Sequence, residues 1–191
     1  EKGYVDIINS SAKSLLGIIN DILDISKIES GKFELEKRKF NPFKEFEPAI
    51  ELFVAKANEK EVDILFYIDP GLPSTIIGDP LKIKQVLSNL IGNAIKFTPT
   101  NGNISIRIEL VHKSDSKAMV LFSIKDSGIG ISSNKQKTIF DPFSQADSSV
   151  TRKFGGTGLG LSISSNIISL MGSKIELDSK EDNGSEFYFE L

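Results

Sequence analysis

Apolar residues recur through the first thirty positions at alternating spacings of three and four: Val5, Ile8, Ala12, Leu15, Ile19 and Ile22. This predicts a helix from about Tyr4 to Glu29 with an a/d seam across almost three heptads. Leu16, Leu23 and Ile25 widen its apolar face. A helix with so broad a stripe is not stable alone in water. Packing on its own globular domain would cover the stripe. A coiled-coil or four-helix-bundle contact covers it better, because no second helix of matching length and pattern is visible in the chain.

Ser30-Gly31 supplies a C-cap signal. Phe33, Leu35 and Lys37 then alternate with Glu34 and Glu36, which predicts a short strand. Asn41-Pro42 opens a helix over roughly Phe43 to Lys60, with Asn41 as N-cap. Val62 to Ile68 reads as a strand, and Asp69-Pro70-Gly71-Leu72-Pro73 as a turn. Asp79-Pro80 starts a strong helix, Leu81 to Phe97, which Thr98 to Gly102 ends. Strands follow at Asn103–Val111 and Ala118–Asp126, joined by a polar hairpin loop at His112–Lys117. A short helix near Ser133–Phe140, a polar stretch from Asp141 to Thr157 and a helix from Gly158 to Met171 come next. Strands Lys174–Ser179 and Ser185–Leu191 flank the turn Asp182-Asn183-Gly184. The order α–β–α–β–α–β–β–α–α–β–β implies an α+β sandwich with an antiparallel or mixed sheet.

Three segments carry chemistry. On the helix Leu81–Phe97, Ile83, Val86, Leu87, Leu90, Ile91, Ala94 and Ile95 form the apolar half. Gln85, Asn89, Asn93 and Lys96 cluster opposite, one turn apart in succession. A carboxamide oxygen suits a hard cation such as Mg²⁺, and a lysine suits phosphate. Taken by itself, this stripe reads more simply as a solvated polar face. Asp126-Ser127-Gly128-Ile129-Gly130-Ile131 follows a strand, and its Gly-x-Gly lets backbone approach a flat ligand while Asp126 accepts from an exocyclic amino group. An ordinary turn would look the same. Gly155-Gly156-Thr157-Gly158-Leu159-Gly160-Leu161 has four glycines among its first six residues and leads into a helix. Its free N–H groups and the helix N-terminus favour anions. It is not a P-loop, which needs Gly-Lys-Ser/Thr, nor a Rossmann fingerprint, which needs a strand just before it. A flexible glycine linker is the plain alternative.

Composition narrows the classes. The 191 residues are 39% hydrophobic and 26% charged, with a net charge of −3. That suits a globular domain and offers no electrostatic footprint for nucleic acid or an anionic membrane. There is no cysteine, so disulfides and thiolate metal sites are excluded. No apolar run approaches the ~18–20 residues of a membrane span. The start at Glu1 and the end in an alternating strand suggest a piece of a longer protein.

In their order, the motifs resemble the catalytic and ATP-binding domain of sensor histidine kinases, and more broadly the superfamily shared with type II topoisomerases, a heat-shock chaperone and mismatch-repair ATPases. Gln85 to Thr98 matches the N box, Asp126 to Gly130 the G1 box, Ile139 to Gln145 the F box, and Gly155 to Leu161 the G2 box. The resemblance covers residues 40–191 and implies a two-layer α/β sandwich with helices on one face, over a domain at 32–191. Residues 1–31, through Leu15-Leu16-Gly17-Ile18-Ile19-Asn20-Asp21-Ile22-Leu23-Asp24-Ile25-Ser26-Lys27-Ile28-Glu29, resemble the second helix of the dimerisation and phosphoacceptor hairpin. The wording is nearest to hybrid kinases.

The resemblance also implies roles and partners. Asn93 would hold Mg²⁺, with Asn89 beside it on metal or phosphate and Lys96 on phosphate. Asp126 would bind the adenine amino group, and Gly128, Ile129 and Gly130 would line the adenine edge near Phe97. Gly156, Thr157, Gly158, Leu159, Gly160 and Leu161 would hold phosphates under a lid at roughly Gln145–Phe154. Arg152 and Lys153 in that lid would approach the triphosphate of ATP, and Phe140 with Phe143 would anchor its base, unless those rings are plain core aromatics. The implied partners are a second copy through the N-terminal helix and a response regulator or receiver domain. The implied location is cytoplasmic, in a parent that can be anchored in the bacterial inner membrane.

Two departures refine this. The family's phosphoacceptor histidine is expected upstream of Glu1, since His112 lies in a polar hairpin with no acid beside it. The glutamate base of the repair and chaperone ATPases is also missing, because Gly92 precedes Asn93 and Ser88 precedes Asn89. That disfavours water activation and favours transfer to a histidine. A regulatory pseudokinase and a superfamily ATPase are the alternatives.

Overall fold

The computed structural model describes residues 2–114, 117–144 and 158–191. The N-terminal helix α1 (Lys2–Glu29) is followed by β1 (Arg38–Phe40), α2 (Pro42–Glu59), β2 (Asp63–Ile68), β3 (Ile76–Gly78) and α3 (Pro80–Phe97). Then come β4 (Asn103–Lys113), β5 (Ala118–Asp126), the single turn α4 (Ser133–Gln136), α5 (Gly160–Leu170), β6 (Glu176–Ser179) and β7 (Ser185–Glu190). Five strands form one sheet in the order β2-β4-β5-β7-β6. Only β2 and β4 run parallel; the other neighbours are antiparallel. This is the mixed, mostly antiparallel α+β sandwich that the strand order implied.

The period of two in the strands divides the sheet's faces. Ile104, Ile106 and Ile108 of β4, Val120, Phe122 and Ile124 of β5, and Phe187 and Phe189 of β7 are buried. They pack with Phe46 and Ile50 of α2, the apolar half of α3, and Ile163, Ile167 and Ile168 of α5. An aromatic chain runs through this core. Phe40 meets Phe46 edge-on at 5.7 Å, Phe46 meets Phe122 at 5.6 Å, and Phe122 stacks on Phe189 at 4.9 Å. The other face is polar: Glu186 accepts from Ser123 Oγ at 2.7 Å and pairs with Arg107 at 3.3 Å and Lys125 at 3.4 Å. One face covered and one wet is a common arrangement for antiparallel sheets.

Several boundaries differ from the sequence pattern. No strand forms over 33–37, although those residues alternate. Alternation is local, whereas a strand needs a partner. The partner, Ile76–Gly78, pairs with Arg38–Phe40 instead. That three-residue partner, between a Pro-Ser turn and Asp79-Pro80, was too short to show in the pattern. The β4–β5 hairpin is longer than expected, since a register shift between Leu110 and His112 carries pairing on to Lys113 and Ala118. His112 therefore sits in β4 opposite Met119. The helix expected over 133–140 is helical only to Gln136, and α5 begins at Gly160 rather than Gly158.

On α1, the expected seam positions Val5, Ile8, Leu15, Ile19 and Ile22 are exposed, while Ile25 packs on the core's edge. The C-terminal part of α1 is tied to α3, where Gln85 Nε2 donates to Asp24 Oδ2 at 2.8 Å and Lys82 Nζ pairs with Asp24 at 3.4 Å.

Replacing Phe122 with alanine removes the middle of the aromatic chain. Phe122→Ala is expected to cost about 3–5 kcal/mol of unfolding free energy, read from urea denaturation. A loss below 1 kcal/mol would mean that the chain of rings is not the centre of the core.

Candidate nucleotide-binding site

The site is built around α3. Its N-cap is Asp79, which is buried, and whose Oδ1 accepts from Lys82 N at 3.0 Å while Oδ2 accepts from Glu36 N at 2.9 Å. One carboxylate thus starts the helix and fastens the segment that leads out of α1. Pro80 at the first helical position has no N–H to leave unpaired. Ile83, Val86, Leu87, Leu90, Ile91, Ala94 and Ile95 are all buried, as the periodicity requires. The opposite stripe keeps its polar residues at the layer's edge.

Asn89 of that stripe meets the start of α5, and Asn93 lies beside Asn89. Asn89 Nδ2 donates to Ser164 Oγ at 2.9 Å, and Asn93 Nδ2 lies 3.5 Å from Asn89 Oδ1. Gly160 is what allows this approach: a Cβ there would stand 2.1 Å from Asn89 Oδ1. The Asn89 carboxamide is therefore held by its neighbours, so at this position the stripe is more than a solvated face. Lys96, at the end of the stripe, is half-buried with Nζ 4.7 Å from the Phe97 ring centroid. Burial lowers the pKa of its ammonium group.

The loop after β5 packs on the other end of α3. Asp126 is the last residue of β5, opposite Ser185 of β7, and is 8% exposed, so its carboxylate is inside the layer rather than at a solvated strand end. It accepts from Gly128 N at 2.8 Å. A Cβ on Gly128 would lie 2.6 Å from the Phe97 carbonyl oxygen, so loop and helix touch through backbone. Ile129 N donates to that same carbonyl at 3.4 Å, and its side chain is exposed. Gly130 lies against Lys180, and Gln136 braces this region by donating to Ile131 O at 2.7 Å and Ser179 O at 2.8 Å. Burial pushes the Asp126 carboxyl above the usual carboxylate range, against the opposing N–H groups of Gly128 and Ser185.

At α5, Gly158 lies beside Phe143 and Ser144, and Leu159 is buried in the core. Leu161 is half-buried and packs against the same core. The ring of Phe140 sits edge-on to Phe187 at 6.4 Å and packs against the core. Phe143 is 70% exposed. Arg152, Lys153, Gly156 and Thr157, with the rest of the expected lid at 145–154, lie outside the described residues. Among the described residues, no group of three His, Cys, Asp or Glu side chains gathers to hold a metal ion.

α3 thus meets α5 at Asn89, near its middle, and the Asp126 loop at Phe97, its last residue. From Asn89 to Phe97 the helix rises about 12 Å. Sequence reasoning missed Ser164, whose only signal is its place one turn into the helix after the glycines. It also missed Gln136 and Ser179, polar residues whose brace joins segments far apart in the chain.

Comparison with known proteins places the chain in a family. Residues 78–191 match the family model described as histidine kinase-, DNA gyrase B-, and HSP90-like ATPase. The signal transduction histidine-protein kinase BarA of Escherichia coli (strain K12) is 40% identical over 191 residues, covering 100% of this chain and 21% of its own. The chain thus spans about a fifth of that relative. A full-length ShkA crystal structure in complex with AMPPNP superposes with a TM-score of 0.82 at 29% identity, covering 100% of this chain and 38% of that one. Histidine kinase ThkA in complex with the response regulator protein TrrA gives 0.69 at 32% identity, covering 98% and 50%. The chain belongs to the histidine kinase-, DNA gyrase B- and HSP90-like ATPase family.

Two measurements test the packing. Gly160→Ala should cost about 1–3 kcal/mol, as overpacking does. Adding Asn89→Ala should return part of that loss, because the clash is with Asn89. Strict additivity in the double-mutant cycle would mean that the two residues do not touch. Separately, a raised native pKa means that the folded chain keeps the Asp126 proton longer than the unfolded chain does. Stability contributed by this group therefore falls as pH rises from the ordinary carboxylate value through the raised one. Ligand-free Asp126→Asn should gain on the wild type across that window in denaturant titrations at graded pH. A pH-independent difference would place Asp126 in water.

Proposed function

We propose that residues 32–191 form the Mg·ATP-binding catalytic domain of a two-component sensor histidine kinase. Residues 1–31 are then the second helix of its dimerisation hairpin. The domain donates the γ-phosphate of ATP to a histidine outside these residues, for relay to an aspartate of a response regulator or receiver domain. The observation that carries this reading is α3, which sets Asn89, with Asn93 beside it, against the start of α5 at one point and meets the Asp126 loop at its end.

The donor set fits the nucleotide. Asp126 accepts the adenine amino group at the buried end of β5, with Gly128, Ile129 and Gly130 along the base. A carboxylate kept from water discriminates strongly, because an unmatched base leaves it unpaired. Asn93 supplies a neutral oxygen to Mg²⁺, and Asn89 lies beside it. A cation that keeps several waters and takes phosphate oxygens needs few protein ligands, in keeping with the absence of an acidic cluster among the described residues. Lys96 answers the phosphates with a point charge. The N-terminus of α5, with Gly158 and Gly160, favours anions. By the same reading Gly156, Thr157, Arg152 and Lys153, outside the described residues, would contact phosphate.

Several observations support a kinase in particular. No carboxylate stands at positions 88 or 92, beside the asparagines, to activate water. The relatives named as kinases match across the whole chain. The exposed seam of α1 suits a second copy of the same helix. No described helix is long and apolar enough to cross a membrane. A cytoplasmic position of these residues is part of the proposal, whatever anchors the parent.

Titrating the chain with a non-hydrolysable ATP analogue, with and without Mg²⁺, tests this. Binding should strengthen with Mg²⁺ in the wild type, and Asn93→Ala should remove that gain. Absence of any Mg²⁺-dependent binding overturns the reading. A longer chain that includes the upstream helix should yield an acid-labile phosphoprotein from labelled ATP. Free phosphate alone would favour the ATPase branch.

A further inference from the structure

The last carbonyls of a helix have no partner within it. In α3 each is accounted for, and the accounting singles out Lys60. The Ala94 carbonyl accepts from Thr98 N at 3.0 Å and Thr98 Oγ1 at 2.7 Å. Lys60 Nζ donates to Ile95 O at 2.7 Å, to Lys96 O at 2.8 Å and to Thr98 O at 2.6 Å. The carbonyl left between them, that of Phe97, accepts from Ile129 N at 3.4 Å.

An ammonium group has three donors, and here all three meet carbonyl oxygens. They do so at the negative end of the helix, where a cation is favoured. The reach is set by the fold. Lys60 is the C-cap of α2, and the turn that follows is fastened to the turn after α3: Asn101 N donates to Glu61 O at 2.7 Å and Asp63 N to Gly102 O at 3.0 Å. Burial lowers the lysine's pKa below its ordinary value. A side chain whose desolvation is opposed by three carbonyls is placed, not adventitious.

The consequence lies on the other side of the same turn. Phe97 O is the surface against which Gly128 and Ile129 pack, and Asp126 is two residues before Gly128. If the last turn of α3 loosens, that carbonyl shifts, and the loop carrying the buried carboxylate shifts with it. We propose that Lys60 is a positioning residue for the nucleotide site, holding the final turn of α3 in the shape on which the loop 126–130 is built. It touches no nucleotide itself. This inference rests on the reading of that loop as the wall that binds the base.

The test compares three variants of the full chain. Lys60→Met keeps the aliphatic stem and removes all donors. Lys60→Arg keeps the charge but spreads its donors over a planar fork, so they cannot converge from one nitrogen. Leu72→Ala, in the turn beyond β2, serves as a stability control. ADP without Mg²⁺ is the probe, because it weights the base over the metal. Lys60→Met should weaken ADP binding about tenfold, equivalent to about 1.4 kcal/mol. Lys60→Arg should fall between it and the wild type. Leu72→Ala should leave ADP affinity unchanged at a comparable loss in Tm. Equal affinity in Lys60→Met and the wild type, or an equal effect from Leu72→Ala, overturns the proposal and leaves Lys60 a stabilising cap.

A second readout needs no nucleotide. In the ligand-free chain, the Ile129 amide should exchange hydrogen faster in Lys60→Met and less so in Lys60→Arg. Unchanged exchange at Ile129 overturns the link between Lys60 and the loop. If the wild type binds no ADP, it is the nucleotide reading that fails, and the exchange experiment still decides the positioning role.

Discussion

The helix Pro80–Phe97 has to serve the core and the site at once, and the rest of the fold is arranged to permit it. Its apolar half is locked against the sheet and α2, which fixes its rotation about its axis. Rotation by one residue would turn about 100° and bury a carboxamide. Its ends are fixed separately, by the Asp79 carboxylate at the start and the Lys60 ammonium at the finish. A helix so held sets Asn89 against the start of α5, with Asn93 one turn further on beside it.

The same clamps bring distant parts of the chain into register with the site. Asp79 also takes the Glu36 N–H, so the segment leaving α1 is fastened at the root of α3. Gln85, one turn before Asn89 on the same stripe, donates to Asp24 of α1. The N-terminal helix therefore touches the polar stripe of α3 directly, through a half-buried polar contact among Asp24, Lys82 and Gln85. Lys82 also lies 4.5 Å over the Phe33 ring, a further contact between α3 and the segment that follows α1.

Much of this was legible in the residues. The long amphipathic elements were read almost to their ends, because burying one face of α3 demands a period near 3.6 over five turns, and few other arrangements satisfy it. Asn41 and Asp79 announced their helices through Asn-Pro and Asp-Pro. The strand Ile76–Gly78 was not legible, since three residues carry no period. The false strand at 33–37 had the period but no partner. At the site, the asparagine stripe and the glycines stood out by residue type, while Ser164, Lys60 and Gln136 did not, because serine, lysine and glutamine are ordinary on exposed helices.

By itself, the sequence determined which residues could do chemistry and which face of each helix was apolar. Those properties follow from side-chain type and local spacing, which need no knowledge of the neighbours. Only the tertiary structure decided that the Asn89 carboxamide is held by Ser164 of α5. It also decided that Asp126 is buried rather than lying in a loose turn, and that one lysine closes the end of α3. Each of these depends on segments tens of residues apart, such as 60 with 95 and 89 with 164, whose approach is a property of packing and leaves no trace in local pattern.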